Sequence, residues 1–476
     1  MAEPERPRLL YFNGPWDYLG ERMKAAYLRP FERLLAQDFD VVSVVGDCDF
    51  PAEVARHRPD LVLFHTGTES TREGGDPEVR ITGTQEHPDL PRLGFIWRDP
   101  FSPSRAVAMN RLRAWGVHAV VTINRPTDSP IPYFRDSLYL PFWIDDAVFR
   151  DYGEPKVIPV TLAGSGWLHT FLYSWRRDIA VGLMHNVGMF HSPSLGNEAV
   201  RHDFTGENYA RLLNRSYFSA GCGTINRYLT LKLLEIPAAR CCLIAEETEV
   251  LKALGFRDGE NCVFAIGSTV SARVQALLED RGRLTAMTDA GYALVHARHT
   301  QRHRRLFIEW YRLWRIRGPG QRIVQNDPFG PLVLVDEGRP NPPWTFPTEN
   351  PLVAGLLEGY RFLDAGDWTS ALERFEWVTG NIAWVAEANL GAAICHLMRG
   401  MPDYAYQRLL HNFKHLLQHH HSPQPDPIDQ AFLAVTLVRQ GNLNQAVATA
   451  GDWAHVRHPA LNALRWLFAQ YHPSLT

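Results

Sequence analysis

The sequence predicts an α/β protein with two Rossmann-like halves, followed by an all-helical repeat region. Three observations predict it. Apolar strand-like runs alternate with helical spacing twice over residues 1–322, a Pro-rich stretch follows, and a Gly-to-small-residue signature recurs at regular spacing beyond it. Strands alternating with helices indicate parallel sheets covered on both faces. At about 100–200 residues per domain, 476 residues leave room for two to four domains.

In the first half, 1–150, strands are expected at 9–12, 41–45, 60–64, 93–97 and 118–123. Helical spacing covers 20–36, interrupted by Pro30, and 104–115. The second half, 151–322, opens with a strand at 157–162 that ends at Ala163-Gly164-Ser165-Gly166. Helices at 173–185, 207–214, 228–236, 270–280 and 283–315 surround further strands at 215–219 and 241–244. Ligands of such sheets sit beyond the carboxyl ends of the strands.

Residues 316–351 contain eight Pro, and 323–351 read as an extended linker. From 352 to 476 only helical spacing remains. Gly366-Asp-Trp-Thr-Ser-Ala371 recurs 34 residues on as Gly400-Met-Pro-Asp-Tyr-Ala405, and again as Gly441-Asn-Leu-Asn-Gln-Ala446. The first offset is the tetratricopeptide period, and three copies are about the minimum that bury a shared core. The expectation is a tetratricopeptide-like solenoid that recruits a protein acceptor or drives self-association.

Composition excludes several classes. Apolar residues at 45% and charged residues at 21% are globular values, not those of a disordered chain. Lys plus Arg at 49 against Asp plus Glu at 52 leaves no bulk charge to hold nucleic acid or an acidic membrane. No apolar run approaches the ~18 residues that span a bilayer, and no apolar segment precedes the first strand, so a cytoplasmic protein is expected. Six Cys without regular spacing predict no disulfide framework.

Neither G-x-G-x-x-G nor G-x-x-x-x-G-K-[ST] is present, which disfavours nicotinamide and P-loop chemistry. Gly164-Ser165-Gly166 directly after a strand is a candidate phosphate turn; the plainer reading is a tight turn. Lys232 and Glu235 lie three apart and share a helix face. A carboxylate there can accept both ribose hydroxyls, and Lys232 or Arg227 can neutralise a diphosphate leaving group. The plainer reading of the pair is a surface ion pair.

Residues 209–216 (YARLLNRS), 232–238 (KLLEIPA), 241–249 (CCLIAEETE), 255–261 (GFRDGEN) and 291–300 (GYALVHARHT) together resemble the donor-binding half of GT-B glycosyltransferases. The likeness is to the CgeB-like group and related group-1 transferases. It implies a metal-independent, hexosyltransferase-type enzyme whose donor substrate is a nucleoside diphosphate sugar such as a UDP- or GDP-sugar, with no separate cofactor. Lys232 and Glu235 would hold the donor, with Arg227 and Gly164–Gly166 near the phosphates. Many group-1 enzymes carry Glu eight residues before the helix glutamate; this chain has Arg227, which leaves Glu246, Glu247 or Glu249 as alternative acceptors for sugar hydroxyls. A base from the first half is implied, and His65 and Asp99, each after a strand, are the candidates. Trp16, Trp97 and Trp143 are candidate sugar platforms.

Two clusters point elsewhere. Eight Arg between 298 and 322, interleaved with Phe307, Trp310, Tyr311 and Trp314, have the composition of a nucleic-acid surface, or of an amphipathic closing helix. His411, His415 and His419 recur at i, i+4, i+8, but no Cys or carboxylate completes a metal set, so no metal site is expected. The rival to an enzyme is an interaction protein with a degenerate transferase domain and partner-binding repeats.

Overall fold

The computed structural model describes residues 6–14, 24–68, 79–97, 101–124, 137–164, 172–184, 187, 189–192, 206–327, 329–339, 349–420, 422, 424–454, 456 and 458–471. In chain order the elements begin with β1 (Arg8–Asn13), α1 (Arg29–Ala36), β2 (Asp40–Val45), β3 (Cys48–Asp49), α2 (Phe50–His57), β4 (Leu61–Thr68), β5 (Ile81–Thr82), β6 (Arg92–Trp97), α3 (Arg105–Ala114), β7 (Ala119–Thr122) and β8 (Ser137–Tyr139). A second α/β series follows: β9 (Ile158–Ala163), α4 (Ser174–Met184), β10 (Met189–Ser192), α5 (Gly206–Asn214), β11 (Ser216–Gly221), α6 (Leu231–Ala238), β12 (Cys242–Ala245), α7 (Glu249–Ala253), β13 (Val263–Phe264), α8 (Val270–Glu279), α9 (Arg281–Arg298) and α10 (Leu306–Ile316). The hairpin β14 (Gln321–Gln325) and β15 (Leu332–Asp336) leads to helices α11 (Pro351–Asp364), α12 (Trp368–Asn381), α13 (Ala386–Met398), α14 (Pro402–His420), α15 (Pro427–Arg439), α16 (Leu443–Gly451) and α17 (Pro459–Tyr471).

The chain partitions into two compact units: one gathers the described residues within 16–40 and 140–351, the other those within 7–15, 41–139 and 352–476. The second of these holds a six-stranded sheet in the order β2-β1-β4-β6-β7-β8. Pairings β1–β4, β4–β6, β6–β7 and β7–β8 are parallel. Leu61, Val62, Leu63 and Phe64 are all fully buried, which is why this strand reads as an unbroken apolar run. Phe64 stacks on Phe12 at 5.0 Å, with Phe50 and Leu112 completing the core. Each such side chain contributes about 1.5–3 kcal/mol by leaving water. Strand β4 runs on to Thr68, so His65 lies within the strand and not after it.

The same unit contains the C-terminal helices. They form three helix–turn–helix pairs, α11–α12, α13–α14 and α15–α16. Gly366, Gly400 and Gly441 stand at the three turns with φ of 78°, 73° and 81°, the left-handed conformation that glycine enters without a Cβ clash. Ala371, Ala405 and Ala446, one turn into the following helix, are fully buried at 0% exposure. The array shares a unit with the first sheet, where Arg105 of α3 forms a buried ion pair with Glu387 of α13. It does not share one with the second sheet.

The other unit is built on a five-stranded sheet, β10-β9-β11-β12-β13, parallel at every described pairing, with β11 in the middle. Its core joins Val160, Phe218 and Ile244 to Ile179 of α4 and Val274 of α8. Helix α1, from the first 150 residues, belongs here: Phe31 meets Phe307 of α10 edge-on at 5.9 Å. Two expectations change. The helix expected over 283–315 is broken, because the chain after Arg298 bridges to Ile144, whose amide donates to the His299 carbonyl at 2.9 Å. Part of the expected linker is an antiparallel hairpin, Gln321–Gln325 against Leu332–Asp336. Among the described residues no helix is long and apolar enough to cross a membrane.

Candidate functional site

Strand β9 ends at Ala163, and Gly164 follows with φ of 114°. A Cβ at Gly164 would fall 2.5 Å from Lys232 Nζ and 2.9 Å from Arg176 Nη1. Two cations from different helices, α6 and α4, therefore converge on one glycine at the carboxyl edge of the sheet. Arg176 is buried, and its guanidinium lies 4.4 Å from the Tyr173 ring centroid.

On α6, Lys232 and Glu235 sit one turn apart, partly exposed yet densely surrounded by protein, so they line a recess. Neither has a hydrogen bond or ion pair among the described residues. Burial, assisted by the Arg176 charge, pushes the Lys232 ammonium down to about 8. Burial pushes the Glu235 carboxyl up to about 7, opposed by Lys232. Tyr27 and Tyr209 lie within electrostatic range of Glu235, and burial raises both phenols, Tyr27 to about 12. An unpaired charged group in a low-dielectric recess is expensive, so this arrangement suits a ligand carrying opposite charge and hydroxyl donors.

Between β11 and α6 the chain makes a close turn. Thr224 and Arg227 have φ of 62° and 53°. A β-branched residue in that region is strained by about 1–3 kcal/mol. Thr230, at the start of α6, directs its hydroxyl to the Cys222 carbonyl at 3.1 Å and caps no helix amide. Arg227 pairs with Glu246, directly after β12, at 2.8 Å. Burial raises the Glu246 carboxyl while Arg227 lowers it.

The structure thus brings Gly164, Lys232 and Glu235 together and sets Arg227 with Glu246 on neighbouring strand ends. Glu247 and Glu249 form a separate surface group with Lys252, at 2.9 and 3.0 Å. His65 is buried, its Nδ1 2.7 Å from the Tyr11 hydroxyl and its ring edge-on to Phe95. Ser165, Gly166, Asp99 and Trp16 lie outside the described residues. Trp97 and Trp143 are core residues at 9% and 4% exposure. Sequence reading missed Arg176, Tyr27 and Tyr209. Arg176 carried a weak signal, as a basic residue on the helix that follows the Gly164 turn; Tyr27 carried none, and Tyr209 stood only as the first residue of the 209–216 resemblance.

Residues 143–309 match the family described as Glycosyl transferase-like. The matched segment contains Gly164, Arg176, Arg227, Lys232, Glu235 and Glu246. No curated protein matches the chain by sequence. Similar solved structures include sucrose-phosphate synthase from Thermosynechococcus elongatus, 11% identical with a TM-score of 0.43, covering 65% of this chain and 98% of that one. A glycosyltransferase from Rickettsia africae is 10% identical with a TM-score of 0.40, covering 66% and 100%. HepE of Anabaena in complex with UDP and glucose is 12% identical with a TM-score of 0.39, covering 64% and 98%.

Proposed function

We propose that the chain is a glycosyltransferase that moves a sugar from a nucleoside diphosphate sugar to an acceptor hydroxyl or amide. The observation that carries this reading is the convergence of Lys232 and Arg176 on Gly164, with Glu235 one turn along the same helix. The family match over 143–309 supports the same class. Breaking the bond between the sugar's anomeric carbon and the diphosphate leaves negative charge on the departing oxygen. Fixed cations in a water-poor recess stabilise that charge. Glu235 accepts the ribose hydroxyls. Because Lys232 and Arg176 supply the neutralising charge, transfer proceeds in excess chelator. Full loss of activity in chelator, restored by manganese, overturns that part.

The decisive experiment is calorimetry with UDP and GDP on the wild-type chain and on Glu235→Ala. Loss of the charged hydrogen bonds weakens binding by about 1–3 kcal/mol; unchanged affinity overturns the assignment. Departure of the acceptor proton needs a base. Of the two candidates, His65 is buried within β4 and held by Tyr11, so the base is proposed at Asp99, and Asp99→Asn tests it by losing transfer while keeping nucleotide affinity. The three helix–turn–helix pairs of the C-terminal array support a tetratricopeptide-like role in holding a protein acceptor. A second reading, a nucleotide-binding protein without transfer activity, is favoured by Arg227, engaged with Glu246 where the group-1 pattern carries Glu. Nucleotide-sugar binding with no release of nucleoside diphosphate to any acceptor, water included, identifies it.

A further inference from the structure

The six-stranded sheet ends on one side at β2, which has β1 beside it and no further strand among the described residues. An open strand edge is a row of amides and carbonyls that can pair with another chain, and proteins blunt such edges with Lys, Pro or an inward-pointing charge. Strand β2 has none of these. Its only charge is Asp40 at the first position, and the rest is Val41-Val42-Ser43-Val44-Val45. Val42 and Val44 pack against the core of their own unit. Ser43 is exposed, and Val45 is 57% exposed, an apolar side chain left in water at the edge.

The backbone fixes which residues face the opening. Just past the strand, the Gly46 amide donates to the Asn13 carbonyl at the end of β1, at 3.2 Å. The peptide unit is planar and trans, so the Val45 carbonyl points away from β1. Alternation along the strand sends the amides and carbonyls of Val41, Ser43 and Val45 the same way. The segment 41–45 is also a palindrome about Ser43. A two-fold axis at Ser43 sets two copies antiparallel, with Ser43 opposite Ser43, Val41 opposite Val45 and Val42 opposite Val44. The Ser43–Ser43 and Val41–Val45 pairs then exchange both hydrogen bonds, because their polar groups face the partner. Every other side-chain pair is Val against Val, a favourable cross-strand match. Asp40 falls opposite Gly46 and Asp47 opposite Phe39, so no charge meets a like charge. A second copy satisfies this pattern by symmetry, which an unrelated strand does not.

We infer that β2 is a self-association surface: two copies pair edge to edge through it, antiparallel and centred on Ser43, joining their six-stranded sheets into one. The sequence reading places self-association in the C-terminal repeats; the sheet edge supplies a different surface for it. The inference is independent of the donor site. One short strand pair makes a small interface, so the dimer is concentration-dependent.

Sedimentation velocity on the full chain over about 1–200 µM measures the association. It is run on wild type, Ser43→Lys, Ser43→Glu and an equimolar mixture of the two variants. Because Ser43 sits on the two-fold axis, each variant alone sets like charges face to face and weakens association about tenfold or more. The mixture places Lys against Glu and restores a mixed dimer. Ser43 is exposed, so both variants keep the wild-type circular dichroism spectrum and melting temperature. Ser43→Pro removes an amide that faces the opening and abolishes association while the pairing with β1 stays intact. A wild type that stays monomeric across the range, or a dimer that persists in both charge variants, overturns the inference. So does a mixture that fails to recover, since only pairing through the same position brings the two charges together. Association lost on Trp466→Ala and kept on Ser43→Lys moves the surface to α17, where Trp466 is 63% exposed.

Discussion

Two regions of the molecule bury ionisable side chains, and they do so in opposite ways. In the unit that joins the first sheet to the C-terminal helices, buried charge is met by a partner. Arg105 pairs with Glu387, Asp429 accepts from Asn412 Nδ2 at 3.0 Å, and Asp426 accepts from the Ile428 amide at 3.0 Å at the start of α15. Burial raises the Asp426 carboxyl, and that amide together with Arg105, His458 and Arg113 opposes the rise. In the other unit, Lys232 and Glu235 are enclosed without a hydrogen bond or ion pair among the described residues, and each other's charge opposes the effect of burial. The first arrangement holds two structural layers together through partners of its own. The second is complete only when something binds. Burial of charge alone therefore does not mark a site; burial without internal compensation does.

The largest test of this contrast is to break one partner in each region. Glu387→Gln removes the carboxylate that pairs with the buried Arg105 guanidinium, and the expected loss of stability is about 3–5 kcal/mol, read as a lower denaturant midpoint. Lys232→Met removes an unpaired cation from its recess. It leaves thermal stability unchanged or raised and removes most nucleotide affinity. If Lys232→Met destabilises as strongly as Glu387→Gln, Lys232 is a structural residue and the distinction collapses.

Next in size is the pH response. Glu235 is held above its ordinary value, so its contribution to stability is full below about 4.5 and is lost as pH rises through about 7. Lys232 is held below its ordinary value, so its contribution is full above about 10.5 and is lost as pH falls through about 8. Between those two values both groups are charged in the empty recess, and the fold gains most from a ligand. Nucleoside diphosphate affinity should peak there, falling at higher pH as Lys232 deprotonates and at lower pH as Glu235 protonates. Calorimetry in buffers of differing ionisation enthalpy should show proton uptake on binding near about pH 8.5 and proton release near about pH 6.5. Binding without proton exchange at either pH places the ligand away from both groups.

What was legible in the sequence follows from the range of each interaction. Strands such as β4 and β7 depend on local apolar runs, and Lys232 with Glu235 depends on helix spacing together with the family resemblance of residues 232–238; both are short-range patterns. Arg176 was not legible, because its approach to Gly164 depends on how α4 folds back over the end of β9. The hairpin at 321–336 was hidden by proline content. Pro319 and Pro331 lie just outside the paired segments, where a missing amide costs nothing, while Ile323-Val324 and Val333-Leu-Val335 supply the strand character. His65 read as a residue beyond a strand because His-Thr-Gly looks like a turn, yet in a sheet buried on both faces the strand continues through it. The assignment of α1 to the unit of the five-stranded sheet and of the C-terminal helices to the unit of the six-stranded sheet depends on contacts hundreds of residues apart, which no periodicity encodes.

The smallest effect is expected at the acidic surface group after β12, and it sharpens the comparison from the other side. Glu247 and Glu249 are 60% and 43% exposed and pair with Lys252, itself 40% exposed. All three have solvent to complete their charge, so neither removal nor ligand binding changes much. Glu246, the third candidate acceptor for sugar hydroxyls, is one residue away in sequence but 19% exposed and engaged with Arg227. Glu247→Ala and Glu249→Ala should leave both the melting temperature and sugar-nucleotide affinity within error of wild type, while Glu246→Gln lowers sugar-nucleotide affinity alone. A selective loss on Glu249→Ala instead of Glu246→Gln moves the sugar contact out to the α7 start, where the Glu249 amide donates to the Glu349 carboxylate at 2.6 Å. In that case exposure, and not uncompensated burial, locates the sugar contact.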